Sequence, residues 1–192
     1  MFYFIMIVIM FQYCPACGLK NIHFERNKFS CPDCGFVYYH NTAAATSCII
    51  CSGEKILLLK RNKDPGKGKL DLPGGFVDPN EGIIEGLRRE LKEELGWQPE
   101  VKQGTSPFEV FKLFASFPNT YPYKNIIYNT CDLFFVVSAS GLTEKDFTPE
   151  KEEIADLFFI NPNEIKNEDL AFDSIRRAID FLKNTQHDLW QI

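Results

Sequence analysis

Five glutamates crowd the segment from Gly75 to Trp97, GFVDPNEGIIEGLRRELKEELGW, where Glu81, Glu85, Glu90, Glu93 and Glu94 surround the pair Arg88-Arg89. On a helix turning about 100° per residue, Glu90 and Glu94 stand one above the other, with Glu93 on the adjoining edge. Like charges at that spacing repel, so such a helix gives up stability unless a cation sits among them. A solvated helix face would alternate its signs; clustered carboxylates instead present the oxygen ligands that Mg²⁺ or Mn²⁺ prefers. Upstream, Leu72-Pro73-Gly74-Gly75 reads as a turn, since Pro fixes φ and paired glycines allow close backbone approach. That turn can offer a bare carbonyl to a metal or a bare N–H to a phosphate.

A second chemistry precedes the first. Cys14-Pro-Ala-Cys17 and Cys31-Pro-Asp-Cys34 are matched C-x-x-C knuckles, each followed by glycine, Gly18 and Gly35. Four thiolates at this spacing make a closed tetrahedral zinc site with no position left for water, so the zinc is expected to be structural. A third C-x-x-C, Cys48-Ile-Ile-Cys51, lies in a run that reads as a hairpin turning at Ser52-Gly53. Residues three apart on a strand point to opposite faces, so these two cannot share a metal and are expected to be ordinary core or edge cysteines, as is Cys131. His23, His40 and His187 are scattered and none has a companion ligand.

These groups need elements to hold them. Ile84, Leu87, Leu91 and Leu95 form an apolar stripe beside the carboxylates, which predicts a helix from about Asn80 to Leu95 with one buried face. Strands are expected near residues 100–103, 108–116, 125–138 and 157–160, and a last helix over about 169–183 with Ile175, Ile179 and Leu182 inward. Strands with few helices in this order suit a sheet sandwich flanked by helices. Residues 1–12 are an apolar run too short to span a membrane and without the flanks of a secretory signal. Met10 is the expected start, with residues 1–9 an extension; a buried or pairing strand is the alternative. The expected organisation is a zinc ribbon over 13–42 and a catalytic domain over 43–192.

The order Gly75, five residues, Glu81, seven residues, Arg89-Glu90-Leu91, one residue, Glu93-Glu94, one residue, Gly96 and a bulky apolar residue resembles the Nudix box. The final position is Trp97 where that family usually has Ile, Leu or Val, a change for packing rather than chemistry. The resemblance implies an α/β/α sandwich over roughly residues 43–185, and an enzyme that hydrolyses a nucleoside diphosphate linked to another group with divalent cations. By the same resemblance Glu90 and Glu94 are metal ligands, Glu93 is a further ligand or the base, and Gly74 supplies a carbonyl to the metal. Arg89 holds the glutamates in place, and Glu81 helps order the loop-to-helix junction. Asp156, ahead of Phe158-Phe159-Ile160, matches a position that often completes the metal shell; it is a ligand or a structural carboxylate, with Glu152 or Glu153 as substitutes.

A zinc ribbon ahead of such a box is similar to the NADH pyrophosphatase branch, which carries Ser-Gln-Pro-Trp-x-x-Pro downstream. This chain has Ser116-Phe117-Pro118-Asn119-Thr120-Tyr121-Pro122, with Gln and Trp replaced. Ser116, Phe117, Tyr121 and Tyr123 are therefore candidate substrate contacts, or loop anchors. NAD(H), ADP-ribose, another dinucleotide and a nucleotide sugar all stay open as substrates. The competing class is a nucleotide-binding or ribbon interaction module that has lost catalysis, which the full set of box carboxylates opposes. A net charge of −5 and a ribbon whose basic residues are offset by Glu25 and Asp33 leave too few phosphate contacts for nucleic-acid binding. A cytoplasmic protein without a membrane partner is expected, and a homodimer through the ribbon is left open.

Overall fold

Strands rich in Ile, Leu, Phe and Val, apolar on both faces, belong at the centre of a layered structure, because each face must be covered. The computed structural model bears this out and describes residues 11–124 and 126–189. The segment ending at Met10 lies outside the described residues.

The first unit is a three-stranded antiparallel sheet of β1 (His23–Glu25), β2 (Lys28–Ser30) and β3 (Val37–Tyr39). Its hydrophobic support is an aromatic group around Phe29, whose ring lies 4.9 Å from Phe11, 5.5 Å from Tyr38 and 5.7 Å from Phe36. So small a core buries little apolar surface for a fold of this size.

The second unit is a seven-stranded mixed sheet. Its path runs β10 (Ile154–Ile160), β5 (Lys55–Arg61), β4 (Ala43–Ser52), β9 (Ile126–Ser138), β8 (Lys112–Tyr123), with β6 (Leu70–Asp71) paired to β5 and β7 (Gly74–Phe76) paired to β4. Only β4 and β9 pair in parallel; the other ladders are antiparallel. Helix α1 (Ile83–Leu95) covers one face, its Leu87, Leu91 and Leu95 fully buried against Cys48, Ile50, Leu57, Phe135 and Val137. Helix α3 (Asp173–Leu189) covers the other, with Ile175, Ala178, Ile179 and Leu182 against Ile49, Ile56, Leu58, Phe134 and Val136. The expected three-layer α/β arrangement is the observed one. Each buried leucine of α1 contributes about 1.5–3 kcal/mol. Repulsion between stacked glutamates amounts to a few tenths of a kcal/mol per pair, so burial decides that the helix forms. Cys48 and Cys51 point into opposite core layers, as strand geometry requires, while Cys131 is exposed on β9. Among the described residues no helix is long and apolar enough to cross a membrane.

Several expected elements are corrected. Helix α1 begins at Ile83 rather than Asn80, because Asn80 takes φ +72° and Gly82 is extended; the Gly82 N–H then donates to Glu85 Oε2 at 2.7 Å. Residues 100–103 form no strand, and the expected strand from Phe108 begins at Lys112. A short helix, α2 (Pro107–Val110), intervenes, with Pro107 in its first turn and Glu109 accepting the Ser106 N–H. Ser106-Pro107-Phe108-Glu109 carries the start signal for this helix in the sequence itself. The last helix starts at Asp173, after a 3₁₀ turn over Asn167–Asp169. The stretch from Ser116 to Tyr123, read as a loop, is the body of β8, in register with β9 from Ser116 opposite Leu133 to Tyr123 opposite Ile126.

Candidate active site and thiolate centre

The two knuckles repeat one hydrogen-bond pattern. Gly18 N–H donates to the Cys14 carbonyl at 2.8 Å and Gly35 N–H to the Cys31 carbonyl at 2.9 Å, each glycine at φ near +75°. The four sulfurs lie within 4.8 Å of one another, with Cys14 to Cys34 at 3.6 Å and Cys17 to Cys31 at 3.7 Å. A tetrahedral zinc with bonds of about 2.3 Å sets its sulfurs about 3.8 Å apart, so this quartet fits the ion. Burial pushes the Cys14 thiol up, but the N–H groups of Cys17 and Ala16 and the neighbouring sulfurs outweigh it, leaving it lowered to about 7. Those N–H donors favour the thiolate that a metal requires.

The carboxylates of α1 meet the turn before β7 at the edge of the larger sheet. Gly74 lies at φ +141° with the Thr46 carbonyl oxygen 2.1 Å from where a Cβ would sit, so only glycine fits there. Its N–H donates to Glu94 Oε2 at 2.8 Å. A Cβ on Gly75 would lie 2.5 Å from Glu90 Oε1, so the second glycine is the space that Glu90 occupies. Gly86, inside the helix, serves Glu81 in the same way, at 2.7 Å.

Arg89 gathers the acids. Its guanidinium donates to Glu81 at 2.8 and 3.2 Å, to Glu90 at 2.9 Å, to Glu93 at 3.1 Å and to the Phe76 carbonyl at 3.0 Å. Hydrogen bonds from Arg89 hold the Glu81 carboxyl below its usual range. Glu90 and Glu94 go the other way. Burial raises Glu90 despite Arg89, and burial with the charges of Glu90, Asp71 and Glu153 raises Glu94 well above the ordinary range. Among the described residues Glu94 has no cationic partner, and the one Glu90 has, Arg89, does not outweigh its burial.

They line a cleft of about 480 Å³, a size that suits a nucleotide-scale ligand. Eight carboxylate side chains face it against two basic ones, Arg61 and Lys63, so an anionic ligand needs added cations. The segment after α1 completes it: the N–H groups of Thr148 and Glu150 cap the Leu95 and Glu94 carbonyls, which brings Glu150 and Glu153 to the cleft. Lys63 pairs with Glu153 there.

Among the residues singled out from sequence, Gly74, Glu90, Glu93, Glu94, Tyr121 and Glu153, the last named as a substitute for Asp156, line this cleft. Asp156 does not: on β10 it lies opposite Lys60 of β5, its Oδ1 accepts the Leu157 N–H, and the carboxylate it influences is Glu144. Glu153 stands where Asp156 was expected. On β8 the alternation puts Phe117 and Tyr121 on the inner side and leaves Ser116 exposed on the other. Phe117 packs in the α3 layer near Phe134, and Tyr123 lies outside the cleft, in a neighbouring hollow with Tyr128 that Tyr121 and Phe76 also border. Sequence reasoning missed Asp71, Asp132 and Thr130, all buried and all lining the cleft. The signal for Asp132 was an acid inside an apolar strand run, where each inward position is expected to be hydrophobic.

A family model described as NUDIX domain matches residues 41–181. An ADP-ribose pyrophosphatase of Methanocaldococcus jannaschii is 34% identical over 145 residues, 76% of either chain. An NAD-capped RNA hydrolase NudC of Deinococcus radiodurans is 25% identical over 173 residues, 88% of this chain and 55% of that one, so this chain spans about half of that relative's length. Among solved structures, a NUDIX hydrolase from Nitrosomonas europaea superposes with a TM-score of 0.58 at 24% identity, covering 92% of this chain and 93% of the other.

Proposed function

The chain belongs to the NUDIX family of diphosphate hydrolases, and from that premise we propose that it cleaves a nucleoside diphosphate linked to a second group, with ADP-ribose and NAD(H) as the leading substrates. The observation that carries this is Glu94. It is a buried carboxylate tied to Gly74 and raised well above its ordinary range, beside Glu90, which burial also raises, in a cleft with eight acids against two bases. Glu90 and Glu94 would hold a Mg²⁺ or Mn²⁺ ion, with Glu153 beside them. Such an ion supplies charge neutralisation on the diphosphate oxygens and lowers the pKa of a nearby water.

The chain's own residues do the rest. Arg89 fixes Glu90 and Glu93 in position without facing the cleft itself. Glu93 is the most exposed of the three box glutamates, its side chain 61% accessible, which suits a group that takes a proton from water and hands it to solvent. Arg61 and Lys63 are the cations available to the substrate's phosphates. Tyr121 and Phe172, their rings 5.4 Å apart, form an aromatic wall that a nucleobase can lie against. The thiolate centre would carry structural zinc only.

ADP-ribose is favoured because the Methanocaldococcus relative, matched over three quarters of both chains, is named for that activity. The direct test is a panel of NADH, NAD⁺, ADP-ribose, dinucleoside polyphosphates and nucleotide sugars with product identification in Mg²⁺ or Mn²⁺. Release of a nucleoside monophosphate from ADP-ribose or NADH is expected. Failure of every diphosphate on the panel would refute the proposal.

A further inference from the structure

Three buried side-chain polar atoms take no hydrogen bond from any described residue: Thr46 Oγ1, Thr130 Oγ1 and Asp132 Oδ1. All three residues line the cleft of the carboxylate site. Unsatisfied buried groups are rare and each demands a reason, a carboxylate oxygen most of all. Asp132 is 6% exposed, and its other oxygen accepts the Ser174 hydroxyl at 2.6 Å, so the side chain is fixed with one acceptor to spare. Neighbouring Asp71 has no such reserve: Oδ2 is bonded to Arg61 and Oδ1 accepts the Leu72 N–H.

Strand geometry explains how the spare acceptor reaches the cleft. Thr130, Asp132, Phe134 and Val136 alternate along one face of β9, and the last two belong to the apolar layer under α3. The stripe thus turns from apolar to polar where the layer opens. Across the ladder Asp132 is level with Ala45 on β4, and Thr130 with Asn119 on β8. Ala45 is too small to fill the space beside Asp132, and Asn119, Tyr121 and Phe172 border the same space. Asp71 is sensed by Glu94 on one side and itself senses Asp132 on the other, so the hollow adjoins the diphosphate site.

We propose that Asp132 and Thr130, over the floor left by Ala45, form a nucleoside subsite that selects a ligand by an uncharged hydrogen-bond donor, a sugar hydroxyl or a base amine. The inference deepens the diphosphate reading and rests on it for the placement of the phosphates. It makes Asp132 a specificity-determining residue, not a member of the hydrolytic machinery. A site built to hydrogen-bond a donor rejects an analogue that lacks it, because the buried acceptor is then left unpaired.

The test is equilibrium binding of AMP, 2′,3′-dideoxy-AMP and purine riboside 5′-monophosphate to full-length protein in Mg²⁺, for the wild type and Asp132→Asn. Expected is that one analogue binds the wild type at least about tenfold more weakly than AMP, and that Asp132→Asn narrows this difference several-fold. The dideoxy arm identifies a sugar hydroxyl and the deamino arm a base amine. Ala45→Leu, which keeps Asp132 and fills the hollow, is expected to weaken AMP binding at least about tenfold. The proposal is overturned if AMP does not bind, if both analogues bind as AMP does, if Asp132→Asn weakens all three equally, or if Ala45→Leu leaves AMP affinity unchanged. Binding is read apart from turnover: hydrolysis without coupling to Asp132 defeats this inference alone, and coupling without hydrolysis defeats the catalytic reading alone.

Discussion

The thiolate quartet and the carboxylate cleft both gather groups suited to a metal ion, and they are built in opposite ways. The quartet is local and closed. Its four ligands come from two knuckles within about twenty residues, and its sulfurs already stand at zinc spacing. Among the described residues it is the one group whose ligand atoms lie that close. The cleft is assembled from the turn at Gly74, helix α1, the segment after it and the central strand β9, and its carboxylates stay further apart. The large sheet and its two apolar layers hold them there, so this fold does not need the ion to exist. A small unit with few apolar contacts is the kind that a metal completes, whereas a large core can hold buried carboxylates in place without one.

The sharpest way to break that contrast is at Glu93. Glu93→Gln is expected to lower turnover at least about a hundredfold while Mn²⁺ binding, read by calorimetry, persists; loss of both together would make Glu93 a ligand. Next comes Gly75→Ala, whose Cβ would collide with Glu90 Oε1. Turnover and cation affinity are expected to fall together by about tenfold or more, in the manner of a displaced ligand, with zinc content unchanged. Cys14→Ser attacks the other side. Zinc is lost and the ribbon unfolds, but turnover per folded molecule on a free dinucleotide stays within about threefold, since no thiolate lines the cleft. A proportionate loss of activity and zinc would show that the two sites are one system.

The smallest effect is a pH dependence. Burial raises the Asp71 carboxyl to about 6, despite Arg61, against about 4 in an unfolded chain. Between those values the native state keeps a proton that the unfolded state has lost, so stability falls as pH rises from about 4 to about 6. Glu90 and Glu94 are raised as well and act with the same sign. Denaturant unfolding of cation-free protein is expected to show this decline, and Asp71→Asn to flatten it between pH 4 and 6.

How much could be read beforehand follows the same division. The quartet was fully legible, because spacing along the chain sets the geometry of a local site. Of the cleft, only the part carried by α1 and its turn was legible: the stripe of Leu87, Leu91 and Leu95 fixes which way Glu90 and Glu94 face. Glu153 arrives through bonds from Thr148 and Glu150 to the end of α1, and Asp132 through the register of β9 with β4. Neither contact leaves a local pattern, so sequence alone puts Asp156 first and Glu153 only among its substitutes. The Ser116 to Tyr123 run, expected to be a loop, is part of β8, an edge strand, where the missing N–H donors of Pro118 and Pro122 are tolerated.

The central claim is that Glu94 belongs to a divalent-cation centre for diphosphate hydrolysis, distinct from the zinc centre. Glu94→Gln tests it most directly, through nucleoside monophosphate release from ADP-ribose and NADH in Mg²⁺ and Mn²⁺, with zinc content and thermal melting measured on the same samples. Because the wild-type carboxylate is buried and raised, the amide is expected to melt no lower than the cation-free wild type, to keep its zinc and to lose turnover at least about a hundredfold. Unchanged turnover in that variant, or wild-type activity that survives removal of all divalent cations, would contradict the account.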